Sequence, residues 1–282
     1  MIATVNGTTL SYQEVGQGPA CLMLNGGMGT DQTLLRTLDP LGDRLRLIQV
    51  DQRGTGRSGR PPLSTLTMAQ LADDAAALAG HLGVERTLVL GHSFGGFVAQ
   101  ELALRHPELV AGLVLVATTA GRLGTSDRPD DEQGPPPPAE VTAIVRAMVS
   151  GPATDDTFAA MTSSLLPYYL HRHDPAALTA RLQHAVYDVA TFRATAALLN
   201  TWSAIDRLDR IAAPTLLLVG RQDPVCAPAQ SHRIARRIPG AQVIELAESG
   251  HFPWLDEPAR FYRVLHDWLD RHARPTTTAH PG

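Results

Sequence analysis

Cysteine is scarce in this chain, with 2 among 282 residues, Cys21 and Cys226. Folds too small to build a core are stapled by several disulfides, so a single pair at this length excludes a disulfide scaffold. Two free thiols in a reducing cytoplasm are the expected state. Long apolar runs are missing as well. The longest, residues 109–120, is interrupted by Gly112 and Thr118 and falls short of the roughly 20 residues that cross a bilayer. No membrane partner is expected. The opening residues, MIATVNGTTL, lack the charged and apolar stretches of a secretory signal, which argues against export. Nor is there a basic surplus. The 24 Lys and Arg stand against 28 Asp and Glu, a net charge of −4, whereas tight nucleic-acid binding normally wants a basic surface. Nucleic acid is excluded as a leading partner.

What is present is a globular composition, 44% hydrophobic and 18% charged, which excludes disorder and collagen. At roughly 150 residues per domain the length gives a prior near two units. A folded chain of this size removes about three quarters of its extended surface from water, so its core needs no metal or disulfide.

Short aliphatic or β-branched runs recur, each followed by a Gly-rich turn and then by a longer stretch with apolar residues three and four apart. That alternation reads as an α/β fold. Residues 2–5 and 8–15 flank Asn6-Gly7, the signature of an antiparallel hairpin at a sheet edge. Nearly continuous apolar runs at 20–24, 45–51, 87–90 and 113–117 suit strands covered by helices on both faces. Residues 67–82 read as a helix with Thr67 and Gln70 at capping-box spacing, and 94–105 as a helix stopped by Pro107. From Gly121 the rhythm changes. A Gly/Pro segment at 134–138 precedes helical patterns over 139–203 without a strand. Strands resume at 215–220 and 242–246, followed by helices at 228–238 and 256–272. The expected division is a core of residues 1–120 and 204–275, an inserted helical cap of 121–203, and a frayed tail at 276–282.

The sharpest local signal is GHSFGG, residues 91–96, set between a predicted strand and a predicted helix. A serine on so sharp a turn needs small neighbours, which Gly91 and Gly95 supply. It also sits over a helix N-terminus that favours negative charge. A hydroxyl is a weak nucleophile near neutral pH, so Ser93 requires a base, and the base an orienting acid. For an elbow serine the partners follow in the order acid, then histidine. Asp223 stands just past the strand TLLLVG and His251 just past QVIEL. Both fall where that order predicts. The competing readings are an ordinary turn serine, a capping carboxylate before Pro224 and a polar loop histidine beside Phe252 and Trp254. Glu248 is a substitute acid, three residues from His251. His92 is read as a packing residue, Asp51 and Arg53 as braces of their own loop, and Cys226 as a small packing residue.

With these motifs in this order, the chain resembles the α/β-hydrolases over about residues 8–272, with Ser93, Asp223 and His251 at the family's triad positions. The resemblance implies a mostly parallel sheet of about eight strands with a helical cap between the sixth and seventh. LNGGMG followed by VDQRGTGRS further resembles the prolyl iminopeptidase branch, which carries HGGPG and DQRG in these places. Here Asn25 replaces the usual His and Met28 the usual Pro. Serine carboxypeptidases also carry NGG, but with an acidic residue where this chain has His92.

A tetrahedral oxyanion needs two backbone N–H donors. Phe94, after the nucleophile, supplies one; the resemblance assigns the other to Gly27, with Gly26 or Met28 if the turn is shifted. In the insertion, Met148, Phe158, Met161, Tyr168, Tyr169, Phe192 and Trp202 form a supply of apolar groups, of which a fraction is expected to face Ser93. Prolyl iminopeptidase-like enzymes bind a free amine through cap carboxylates; between Ala139 and Ser203 the acids are Glu140, Asp155, Asp156, Asp174 and Asp188. Asp155 and Asp174 read instead as helix caps.

The expected function is a serine hydrolase acting on a small, partly apolar acyl substrate: an ester, lactone, amide or N-terminal peptide bond. No cofactor or metal is required by this chemistry. A serine rather than an aspartate at the elbow disfavours alkyl-enzyme chemistry. The alternatives are non-hydrolytic chemistry on the same fold, such as carbon–carbon cleavage or cyclisation, and a small-molecule-binding protein with a silent triad.

Overall fold

Asn6 and Gly7 both adopt positive φ, 46° and 71°, as a two-residue hairpin turn demands. They join β1 (Ile2–Val5) to β2 (Thr8–Val15). The computed structural model describes residues 1–121 and 138–272. The proline-rich segment, apart from Pro138, and the tail at 276–282 lie outside the described residues. Six further strands follow: β3 (Ala20–Leu24), β4 (Arg46–Val50), β5 (Thr87–His92), β6 (Val110–Val116), β7 (Thr215–Gly220) and β8 (Gln242–Leu246). They form one sheet in the order β1-β2-β4-β3-β5-β6-β7-β8. The two pairings made by β2 are antiparallel; the other five are parallel.

Alternate residues of each central strand enter different cores, because side chains on a strand point to opposite faces. Leu22, Leu24, Val89 and Leu113 join one cluster with α1 (Met68–His81) and α2 (Phe94–Arg105). Cys21, Met23, Leu88, Leu90 and Val114 join the other, with Trp254, Phe261, Leu265 and Trp268. Both cysteines are free and buried. The strand β6 begins three residues before the sequence pattern predicts. Gly112 does not end it; its missing side chain makes room for the Trp268 ring, 2.9 Å from where a Cβ would stand.

Among the described residues, four α-helices lie between β6 and β7: α3 (Ala139–Ser150), α4 (Asp155–Tyr169), α5 (Pro175–Leu182) and α6 (Val189–Leu198). They have an apolar cluster of their own around Phe158 and Phe192. An isolated bridge of Thr30 with Tyr187 ties this segment to the core, and one of Gly121 with Ser203 joins the two ends of the insertion.

After β7 and β8 come α7 (Pro228–Ala235), α8 (Pro253–Asp256) and α9 (Pro258–His272). The helix expected over 256–272 is α9, which begins two residues later, and the single turn α8 precedes it. Glu257, at φ −128° and ψ 59°, precedes a proline, and that position avoids the helical region. The capping box is only half formed. Thr67 accepts the Gln70 N–H at 3.0 Å, while the Gln70 side chain turns to Asp74 instead. Sequence periodicity did not reveal the 3-10 helix at Gln32–Asp43, which contains Pro40 and is capped by Asp31.

Candidate active site

Ser93 joins β5 to α2 at φ 48° and ψ −117°, a left-handed region that non-glycine residues seldom enter and that stores strain. The glycines around it permit the turn. A Cβ on Gly95 would overlap the Leu24 carbonyl, and one on Gly91 would stand 2.8 Å from the Ala99 methyl. Ser93 occupies the N-cap position of α2, yet its side chain makes no capping hydrogen bond. Its backbone carries the anchoring, with the N–H bonded to the Val116 carbonyl at 2.9 Å and the carbonyl accepting from the Thr118 hydroxyl at 2.7 Å. The hydroxyl remains free to face the cavity that Ser93 borders.

His251 follows β8 and Asp223 follows β7, at the same edge of the sheet as the elbow. Parallel strands bring these carboxyl ends together however far apart they are in sequence. His251 Nδ1 lies 2.8 Å from Asp223 Oδ2, with the two side chains 4% and 0% exposed. The other Asp223 oxygen accepts the N–H groups of Val225 and Cys226 at 2.8 and 2.9 Å. The carboxylate therefore caps a turn and holds the histidine at once. With Nδ1 donating to Asp223, Nε2 carries the lone pair, and the ring borders the same cavity as Ser93. The Ser93 hydroxyl and this ring are not hydrogen-bonded to one another in this state. Such bonds are often long in unliganded enzymes and tighten when substrate arrives.

Glu248, the substitute acid, points away: its carboxylate lies 3.8 Å from His171 and from Arg172. His92 packs against the rings of His251, Phe252 and Trp254, with Nε2 3.1 Å from the His251 carbonyl oxygen. Burial, then the neighbouring His251, hold its pKa well below the ordinary histidine value. Burial and the adjacent Asp223 push the Cys226 thiol well up, so it carries little thiolate. Arg53 forms two bonds to the buried Asp74 at 2.6 and 2.8 Å, while Asp51 accepts the backbone N–H groups of Gln32 and Arg57. Both brace their own surroundings.

The glycine loop after β3 lies directly against the elbow. A Cβ on Gly26 would stand 2.8 Å from that of Ser93. Gly27 opens a turn: its carbonyl accepts the Thr30 N–H at 3.2 Å and the Thr30 hydroxyl at 3.0 Å. Gly29, at φ 70°, supplies the left-handed residue that such a turn requires. Asn25 braces this loop, donating to the carbonyl of Asp31 at 2.7 Å and to the Thr30 hydroxyl at 3.0 Å. Phe94 is the first residue of α2, where an N–H has no acceptor within the helix.

The cavity, about 190 Å³, is walled mainly by apolar groups. Of the residues expected from the insertion, Met148, Phe158, Tyr169 and Phe192 line it. Met161 and Tyr168 pack within the helical cluster instead. Trp202 turns to the core, edge-on to Phe97 at 5.3 Å and donating to Glu101 at 2.9 Å. Burial and the nearby Asp223 raise the Tyr169 phenol to about 12, so it stays neutral. Tyr187, Leu182, Val225 and Phe252 also line the cavity; their sequence signal was no more than apolar character.

None of the five acids between residues 139 and 203 borders the cavity. Asp174 and Asp188 cap helices. Asp155 is not the cap expected of it: Thr154 caps α4, and Asp155 accepts the Val189 N–H at 2.9 Å. Among the described residues, the carboxylate that borders the cavity is Asp31, from the core, and its oxygens already accept from Thr33 and Val186. No group of three or more metal-ligating side chains forms among the described residues, and no helix among them is long and apolar enough to cross a membrane.

The family profile described as the alpha/beta hydrolase fold matches residues 22–258. The chain belongs to the α/β-hydrolase family. This α/β-hydrolase is 28% identical over 257 residues to proline iminopeptidase PfmaB of Pestalotiopsis fici, covering 88% of this chain and 91% of that protein. It is also 28% identical over 268 residues to the putative carbamate hydrolase RutD of Serratia proteamaculans, covering 92% and 94%. Among solved structures, a thermophilic esterase from Thermogutta terrifontis superposes with a TM-score of 0.73 at 27% identity, over 96% of this chain and 97% of that one. The α/β-hydrolase is thus an enzyme whose relatives cleave several kinds of acyl bond by name.

Proposed function

We propose that the protein is a serine hydrolase acting on a small acyl substrate with an uncharged, apolar acyl part. One observation carries this reading. A strained elbow serine with an unengaged hydroxyl and a histidine held by a buried carboxylate border one apolar cavity. In the proposed reaction the Ser93 hydroxyl attacks the acyl carbon while His251 Nε2 takes its proton. Asp223 keeps the ring in the tautomer that makes Nε2 the base and stabilises the imidazolium that forms. The oxyanion is received by the N–H groups of Phe94 and Gly27, each such donor contributing about 3 kcal/mol to the transition state. His251 then protonates the leaving group, and water activated by the same nitrogen releases the acyl group from Ser93.

The apolar walls favour an uncharged acyl group, since burying an unpaired charge is costly. With no acid of residues 139–203 at the cavity, an ester, lactone or carbamate fits the described lining better than a peptide with a free amino terminus. The experiment compares short-chain p-nitrophenyl esters with a proline arylamide and follows fluorophosphonate labelling. Turnover of the esters with labelling lost in Ser93→Ala supports the reading; undiminished turnover in that variant refutes it.

A further inference from the structure

His251 is held by the end of the helical insertion as well as by the core. Its backbone N–H donates to the carbonyl of Tyr169, the last residue of α4, at 2.6 Å. The chain leaving α4 then runs through His171, Arg172 and His173, whose three consecutive N–H groups point at one carboxylate, that of Asp256. Arg172 and His173 donate to Oδ1 at 2.7 Å each, and His171 approaches both oxygens at 3.1 Å. The other oxygen, Oδ2, accepts the N–H of Gly250 at 2.8 Å, the residue just before His251. A single side chain, buried at 8% exposure, thereby gathers four backbone donors from two segments remote in sequence. Glu248 adds a weaker link, its carboxylate lying 3.8 Å from both His171 and Arg172.

We propose that Asp256 is a positioning residue that clamps the segment leaving α4 to the loop carrying His251, so that the base is in place over Ser93 only while that segment is docked. The inference rests on the hydrolase reading above and assigns a role to a residue outside the Ser93, His251 and Asp223 group. Its physical basis is the valence of a carboxylate. Both oxygens accept, so one group satisfies donors arriving from two sides, and charge-assisted bonds are the stronger kind. The neutral amide of Asn keeps one acceptor oxygen and turns an NH2 toward the remaining N–H donors. One oxygen cannot satisfy donors arriving from both sides, so the amide loosens the tie between the two segments and frees N–H groups in each. A displacement of about 1 Å in a reacting group lowers rates by about a hundredfold.

Four proteins decide the matter: wild type, Asp256→Asn, Asp256→Glu and Leu78→Ala. Leu78 is fully buried near the end of α1, a helix that returns the chain to the opposite edge of the sheet, so Leu78→Ala controls for loss of stability alone. With a p-nitrophenyl ester below the unfolding transition, Asp256→Asn is expected to lower kcat about ten- to hundredfold while KM changes less than about threefold. Asp256→Glu, which keeps both acceptor oxygens, is expected to recover part of the loss, and Leu78→Ala to retain kcat. Hydrogen exchange is expected to quicken in 166–174 and 247–252 together in Asp256→Asn. A kcat within twofold of wild type, an equal loss in Leu78→Ala, or opening of one segment without the other overturns the proposal. Should Asp256→Asn fail to fold, Asp256→Glu alone is expected to show a several-fold fall in kcat and joint opening; no change in either overturns it. If wild type neither turns over esters nor takes a fluorophosphonate, the hydrolase reading fails separately, and joint exchange still decides whether Asp256 holds the His251 loop.

Discussion

The elbow at Ser93 and the loop at His251 face one cavity but are built in opposite ways. The elbow is local: a strand, a strained serine and a helix in one stretch, with glycines at 91 and 95 clearing space against the neighbouring backbone. The histidine loop is assembled from afar. Its backbone is tied to Tyr169 and, through Asp256, to residues 171–173, while its ring is held by Asp223 from another strand end. The proposed nucleophile, positioned by backbone geometry, needs little support from elsewhere. A base whose ring must point across a cavity needs walls, and the helical insertion supplies one of them.

Substitutions on the two sides sharpen this contrast. The largest effect is expected from Ser93→Ala, a fall in kcat of roughly 10⁵- to 10⁶-fold, with circular dichroism and melting temperature preserved. Asp223→Asn should lower kcat by roughly 10⁴-fold, since the amide favours the wrong ring tautomer; steady-state kinetics beside an unchanged melt would check it. Phe158→Ala removes a buried ring from the cluster of the insertion and is expected to destabilise by about 3 kcal/mol or more. Because Phe158 and Tyr169 share α4, kcat should fall along with a rise in KM for apolar esters; a change in KM alone would show that the insertion walls the cavity without placing the base. Smallest is Gly26→Ala, whose new methyl meets Ser93 and His92 and should destabilise by about 1–3 kcal/mol, read by urea unfolding. Equal losses of kcat from Phe158→Ala and Gly26→Ala would erase the distinction between the two sides.

Much of this was legible beforehand, and the reasons are particular. The hairpin announced itself because Asn-Gly is suited to its turn. The central strands did so because burial on both faces leaves nearly continuous apolar runs. Ser93, Asp223 and His251 were picked out because each stands at the end of a recognisable strand. The one-turn helix α8 was missed, since four residues show no periodicity, and α9 begins at Pro258 rather than at Asp256. Trp202, one of the aromatics from which the cavity wall was expected to be drawn, packs on Phe97 instead, because composition says that an aromatic is present, not which way its side chain points. Asp256 carried no signal at all: an acid next to a second acid before a proline looks like a solvated helix start.

The sequence by itself determined the alternation of strands and helices, the glycine-flanked elbow and the order of the three candidate side chains, because burial, turn geometry and chain direction act over a few residues at a time. Only the tertiary structure decided which apolar residues wall the cavity, which acids are caps, and that one buried carboxylate joins the insertion to the histidine loop. Those features depend on the directions in which distant backbone N–H groups point, and such directions exist only once the whole sheet and its helices have packed.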